Sequence, residues 1–178
     1  MPGLDRDKRM AKPSGAVKAL EATIGSELGA SDWFAFSQRE VDVFAALTDD
    51  WDFMHNDPQW ASSSQWGSTI VHGLLTLSLI PRFIKEASDL PIVSDSIEDG
   101  FTLNYGFDRV RFISPFPVAS RARGHVEVLD VTPRPPDGHL VRFRITVRTE
   151  ANPDRPVMVA EHLCFIQQQP TRSAHDDD

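Results

Sequence analysis

"TIVHGLLTLSLIPRFIKEA", residues 69–87, decides the fold. From Ile70 to Ile84 the run is apolar on nearly every side of a helix, and a helix of that kind needs cover from most directions. The period predicts the central buried helix of the domain. Pro81 removes one helical hydrogen bond and its ring crowds the preceding turn, so a kink or an early end is expected there.

The cover is supplied from about Gly100 onward. "FTLNYGF" (101–107), "RVRFI" (109–113), "RARGHVEVLDV" (121–131), "HLVRFRITVRT" (139–149) and "PVMVAEHLCFI" (156–166) alternate apolar with polar residues. Half-buried antiparallel strands read this way, and "PRPPDG" (133–138) and "ANPDRP" (151–156) read as the turns between them. In the fourth segment Val141, Phe143, Ile145 and Val147 face one way, while Arg142, Arg144, Thr146 and Arg148 face the other. Helices first and strands afterwards is an α+β order. The simplest arrangement that uses both apolar surfaces is a single hot dog fold, an antiparallel β-sheet wrapped around a central buried α-helix.

Upstream, "SQREVDVFAAL" (37–47) opens with Ser37 three residues before Glu40. This is a capping box, in which each side chain satisfies a free backbone donor of the other residue. Val41, Phe44, Ala45 and Thr48 then share one face of a short helix expected to end near Asp49. Asp57-Pro58 reads as the next helix start, with Asp57 as N-cap and Pro58 where its missing N–H loses nothing. The tract between, "TDDWDFMHNDPQW" (48–60), is expected to be a loop with fixed edges.

That loop gathers four aspartates and one histidine between Asp49 and Pro58. Asp49 and Asp52 read as surface or cap residues; Asp50 and His55 are the pair that the family resemblance carried by the motifs quoted below implies for chemistry. Five residues along a helix is a rotation of about 140°, so the two can meet only if the chain leaves the helix between them. Trp51, Phe53 and Met54 would then wall the pair from water and raise the basicity of Asp50 by desolvation. A metal loop using Asp50, Asp52, His55 and Asp57 is the rival. The tract lacks the glycine and the closing glutamate of an EF-hand, and no second histidine stands at helical ligand spacing, so no metal is expected.

Composition narrows the partners. Against 18 Lys and Arg stand 26 Asp and Glu, a net charge of −8, which argues against nucleic acid as the main partner. Cys164 is the single cysteine, excluding an internal disulfide and a multi-cysteine zinc site. "MPGLDRDKRMAKPSG" (1–15) contains no signal-peptide core, and no stretch of the chain is apolar enough to span a bilayer, so a soluble cytoplasmic protein with no membrane partner is expected. Residues 1–15 and 168–178 read as disordered ends of a domain over residues 16–167.

"DDWDFMHNDP" (49–58) together with "IVHGLLTLSLIP" (70–81) resembles the MaoC-like dehydratases, the family of R-specific enoyl-CoA hydratases. The matching positions are Asp50, His55, Asp57-Pro58 and Val71-His72-Gly73-Leu74-Leu75. "NYGFDRVRFISPFPVASRARGHVEV" (104–128) is similar to the subgroup related to nodulation protein N. The likeness runs from about Asp32 to Phe165. It departs at Asp52 and Phe53, where many such hydratases carry Asn-Pro, and at Pro81.

The resemblance implies an (R)-specific enoyl-CoA hydratase / 3-hydroxyacyl-CoA dehydratase that adds water reversibly to trans-2-enoyl thioesters. Asp50 and His55 would be the catalytic pair, with Asp50 activating water. Coenzyme A would enter only as part of the substrate, with no other cofactor, and a homodimer joining two sheets is expected. Gly73, lacking a side chain at the start of the buried helix, could offer its backbone N–H to the thioester carbonyl, or could serve helix-to-sheet packing. For His72 a structural hydrogen bond is expected. The coenzyme A phosphates need a local basic patch, for which Arg82, Lys85, Arg109, Arg111, Arg121 and Arg123 are available. An acyl-CoA thioesterase on the same fold, and a non-catalytic acyl-binding module, remain the alternatives.

Overall fold

The alternating segments form one antiparallel sheet. The computed structural model describes residues 15–90, 101–136 and 138–167. Its strands are β1 (Glu27–Ala30), β2 (Phe101–Phe112), β3 (Ala122–Arg134), β4 (Gly138–Thr149) and β5 (Met158–Gln167), in the order β1-β3-β4-β5-β2. The alternation on β4 holds residue by residue: Val141, Phe143, Ile145 and Val147 are fully buried. Their outward neighbours are ion-paired across strands, Arg144 to Glu127 at 2.9 Å and Arg142 to Glu161 at 3.0 Å and to Asp108 at 2.7 Å. Arg109 closes on the other oxygen of Glu161 at 3.1 Å, so this buried carboxylate is held between two guanidinium groups.

The two segments expected as "FTLNYGF" and "RVRFI" are one strand, β2. Irregular registers against β5 between Asn104 and Gly106 and between Asp108 and Arg111 break its period, and Arg109 takes a φ of 51° there. Strand β1 was not legible, because four residues are too few to show a period.

The helices are α1 (Gly15–Ala22), α2 (Gln38–Thr48), α3 (Phe53–Asn56), α4 (Pro58–Ser62), α5 (Gly73–Ser78) and α6 (Ile80–Glu86). The run at 69–87 is therefore two short helices rather than one, broken at Leu79. Pro81 falls in the first turn of α6, where a missing N–H leaves no bond unmade. Cover is also incomplete in the single chain, since Leu74 is 57% exposed. Helix α6 supplies the buried Ile80, Phe83 and Ile84 and lies against β3. Gly124 of β3 makes this approach close: a Cβ there would stand 2.6 Å from Cγ of Phe83. Each such fully buried side chain contributes about 1.5–3 kcal/mol.

Helix α1 adds the fully buried Val17 and Leu20 and also packs on β3. It begins at Gly15, the last residue of the expected N-terminal tail; the rest of that tail and the tail at 168–178 lie outside the described residues. Among the described residues no helix is long and apolar enough to cross a membrane.

Candidate active site

The site is built where α2 ends. The capping box forms as read: Ser37 Oγ accepts from the Glu40 N–H, and Glu40 Oε2 accepts from the Ser37 N–H at 2.8 Å. At the other end Asp49 adopts a left-handed conformation (φ 57°, ψ 30°), and the Asp50 N–H donates to the Ala45 carbonyl at 3.2 Å. The chain thus leaves the helix immediately before Asp50. The expected loop, however, contains the helical turn α3. Asp52 Oδ1 accepts from the Met54 N–H at 3.1 Å and starts that turn, and Asp57 Oδ1 accepts from the Trp60 N–H at 2.9 Å and starts α4.

His55 lies within α3. Its Nδ1 is 2.6 Å from the Ile70 carbonyl oxygen. A carbonyl can only accept, so Nδ1 carries the hydrogen and the neutral ring presents Nε2 as a proton acceptor. The backbone around the ring is also tied down. Gln38 Nε2 donates to the His55 carbonyl at 2.8 Å, the Ile70 N–H donates to the Met54 carbonyl at 2.9 Å, and Asn56 Nδ2 donates to Asp42 Oδ1 at 2.8 Å.

His55 and Gly73 share one cavity of about 290 Å³, whose other walls include Val71, Thr76, Phe112, Ser114, Phe116 and Met158. Gly73 is the first residue of α5, so its N–H is among the first-turn donors that the helix itself cannot satisfy. A Cβ at Gly73 would stand 2.7 Å from Cγ of Phe112, so the position also serves helix-to-sheet packing.

Asp50 is not among the residues lining this cavity. Its carboxylate is 55% exposed, and Oδ2 lies 4.0 Å from Nε2 of His72. His72 is buried, and its Nε2 is 3.0 Å from the Asp50 backbone carbonyl, the structural hydrogen bond expected of it. Its ring stacks on His55 with centroids 3.9 Å apart. His72 is therefore in contact with both members of the expected pair.

Trp51 and Phe53 do not wall the pair as expected. They are 57% and 66% exposed and line a separate cavity with Asp52, Asn56 and Asp57. The reason is the helical turn: Phe53 and His55 are two residues apart in α3, about 200° around it, so an inward His55 turns Phe53 out.

Among the described residues no three His, Cys, Asp or Glu side chains form a group that could hold a metal. Of the arginines considered for phosphate, Arg82 pairs with Glu86 at 2.7 Å and Arg121 with Glu150 at 3.2 Å, while Arg123 lies over Trp33 at 4.7 Å. Sequence reasoning passed over Thr76, Phe112, Ser114 and Phe116. Thr76 had a signal, a polar residue inside an apolar run that is 2% exposed in the fold. Also unforeseen is His162 on the inward face of β5, its Nε2 3.2 Å from Asn104 Oδ1 and its ring near Phe107 and Phe143. Burial pushes His162 down to about 4 and the neighbouring Cys164 thiol up to about 12.

A protein-family model described as a MaoC like domain matches residues 19–150. The chain belongs to the MaoC-like family. Nodulation protein N of Rhizobium leguminosarum bv. viciae is 38% identical to this MaoC-like chain over 152 residues, 85% of the chain and 91% of that protein. The 3-hydroxyacyl-thioester dehydratase Z of Mycobacterium tuberculosis is 34% identical over 148 residues, 83% of the chain and 93% of that protein. Among solved structures, R-hydratase PhaJ1 from Pseudomonas aeruginosa aligns with a TM-score of 0.61 at 22% identity, covering 82% of this chain and 83% of that one. The (R)-hydratase from A. caviae aligns with a TM-score of 0.58 at 24% identity, covering 82% and 98%. These likenesses identify the α+β arrangement of the MaoC-like chain as the hot dog fold.

Proposed function

We propose that the protein is an (R)-specific enoyl-CoA hydratase / 3-hydroxyacyl-CoA dehydratase acting in the cytoplasm. The observation that carries the reading is His55: its ring lies on the wall of an apolar cavity with Nδ1–H committed to Ile70, so Nε2 is the free acceptor, and Gly73, the first residue of α5, lines the same cavity. Membership of the MaoC-like family and the likeness to a 3-hydroxyacyl-thioester dehydratase support the same chemistry.

In the forward direction water adds its oxygen to C3 of a trans-2-enoyl thioester. The C2=C3 electron pair moves into the thioester as an enolate, and the proton lost by water is delivered to C2. Asp50 and His55 are the groups that take and return that proton, a role that contributes about 10²–10⁴-fold per group. The Asp50 carboxylate accepts no hydrogen bond from the described residues, which leaves it available to water and fits it as the activating base. The Gly73 N–H faces the thioester oxygen, where negative charge develops. Coenzyme A takes part only as a portion of the substrate, and with Asp50 and His55 moving the proton the reading invokes no metal or other cofactor.

The functional unit is a homodimer. Strand β2 is an edge of the sheet, and it exposes Leu103 (47%), Tyr105 (67%) and Phe112 (50%), a surface suited to pairing with a second copy. Light scattering at the expected doubled mass checks this; a monomer at micromolar concentration contradicts it.

The decisive experiment supplies crotonyl-CoA and a longer enoyl-CoA and follows both the conjugated thioester absorbance and free thiol. Loss of absorbance without thiol, giving the (R)-3-hydroxy product and abolished in Asp50→Asn and His55→Ala, is the expected result. Unchanged activity in either variant removes that residue from the pair, and thiol release assigns a thioesterase instead.

A further inference from the structure

We propose that His72 is the positioning residue of this pair, a single buried imidazole that fixes Asp50 through its backbone carbonyl and His55 through the face of its ring. The inference rests on the hydratase reading and adds a third side chain to it.

His72 is 2% exposed. Its ring and that of His55 are 3.9 Å apart at 27°, and Phe44 lies 5.1 Å away. Its Nε2 meets the Asp50 carbonyl at 3.0 Å, and because a carbonyl oxygen only accepts, Nε2 carries the hydrogen, which in the neutral tautomer leaves Nδ1 as an acceptor. That Nδ1 is buried without a hydrogen-bond partner among the described residues. A buried acceptor left without a donor lowers stability, and a phenylalanine here would fill similar space without that loss. What the imidazole adds over an apolar ring is the Nε2–H donor, and that donor is spent on Asp50.

The bond completes a clamp on Asp50. Its N–H is held by the Ala45 carbonyl at 3.2 Å and its carbonyl by His72, while its carboxylate stays outside both bonds. His55 is fixed at one ring edge by Ile70 and at one face by His72. Asp50 lies beyond the end of α2 and His55 within α3; Gln38 and Asn56 tie these two helices together, but neither bonds Asp50. His72 comes from a third part of the chain, at the N-terminus of α5, and touches both. A pair that grips one water has to be held to within about 0.5 Å, and an error of about 1 Å costs on the order of 10²-fold in rate.

Two variants separate the contributions: His72→Phe keeps a stacked ring and removes the donor, and His72→Gln keeps an N–H donor and removes the ring. In His72→Phe the kcat for crotonyl-CoA is expected to fall about 10- to 100-fold with KM changed less than about twofold. Its melting temperature should change little, because removing the unpartnered Nδ1 offsets the bond lost at the Asp50 carbonyl. His72→Gln should recover part of the lost kcat. A purely structural residue gives the reverse, a lower melting temperature with kcat unchanged, and that result overturns the proposal. Two readouts do not depend on turnover. Amide exchange over residues 49–53 should quicken in His72→Phe, and ring ¹⁵N shifts of the unmodified protein should show the Nε2–H tautomer at His72. Unchanged exchange, or an Nδ1–H tautomer, overturns the tether, whereas an unmodified protein that hydrates no enoyl-CoA overturns the hydratase reading.

Discussion

Gly73 lies directly beneath the ring of Phe112: a methyl group on its Cα would stand 2.7 Å from Cγ and Cδ1 and 2.8 Å from Cδ2. The nearest atoms belong to the root of the ring as well as its edge, so the ring cannot yield by a small rotation alone. Gly73→Ala is therefore expected to destabilise the protein by about 1–3 kcal/mol, the usual range for overpacking. Gly73→Ala with Phe112→Leu should recover most of that loss. Urea unfolding of both variants checks it, and a single variant as stable as the unmodified protein contradicts it.

Stability should fall on acidification because of His162. Burial holds its folded value down at about 4, while the unfolded imidazole takes up a proton near 6.5. Below about 6.5 the unfolded state binds more protons than the folded one, so stability present at neutral pH is lost progressively down to about 4. Between pH 7 and pH 5 the loss amounts to about 2 kcal/mol by that linkage. His139, also lowered by burial, acts in the same direction. Replacing His162 by Phe, beside Phe107 and Phe143, should flatten this part of the profile in thermal melts at the two pH values. An equally steep profile would place the acid sensitivity elsewhere.

The Cys164 thiol, 2% exposed and pushed up to about 12, is expected to be inert to a disulfide reagent at pH 8 in the native protein. One equivalent should react once guanidinium unfolds the chain. The unfolded thiol ionises near 9, so from there to about 12 the unfolded state binds fewer protons and stability falls as pH rises. Rapid native labelling at pH 8 is the result that would contradict this placement.

Ser37→Ala removes the side-chain acceptor at the start of α2 and the hydroxyl bond to Glu40, leaving Glu40 only the backbone N–H of residue 37. The expected loss is about 1 kcal/mol. Gln38, the next residue, donates to the His55 carbonyl and accepts from Thr69 Oγ1, so fraying here also loosens the backbone of the site. Denaturant midpoints measure the first effect, and faster amide exchange at residues 53–56 measures the second.

Local chemistry was legible wherever a residue's role depends on its near neighbours. The capping box of Ser37 and Glu40, the Asp57-Pro58 helix start and the alternation of β4 all involve contacts within a few residues, and all formed as read. The turn α3 was not legible because its four residues are too few to show a helical period, and its start rests on a single bond to the Asp52 side chain. With that turn in place, Phe53 lies about 200° around it from His55. The single long helix failed because Pro81 permits two readings, a break within a helix or the first turn of a new one. The break at Leu79 selects the second.

By itself the sequence determined the two faces of β4, the helix starts at Ser37 and at Asp57-Pro58, and the departure of the chain from α2 before Asp50, since each follows from backbone hydrogen bonding or side-chain period over short spans. Only the tertiary structure decided that His72 stacks on His55 and bonds Asp50, that His55 shares a cavity with Gly73, and that Asp50 stays off its wall. Those relations join the end of α2, α3 and the start of α5, and the distances between elements far apart in sequence are set by how their apolar faces pack.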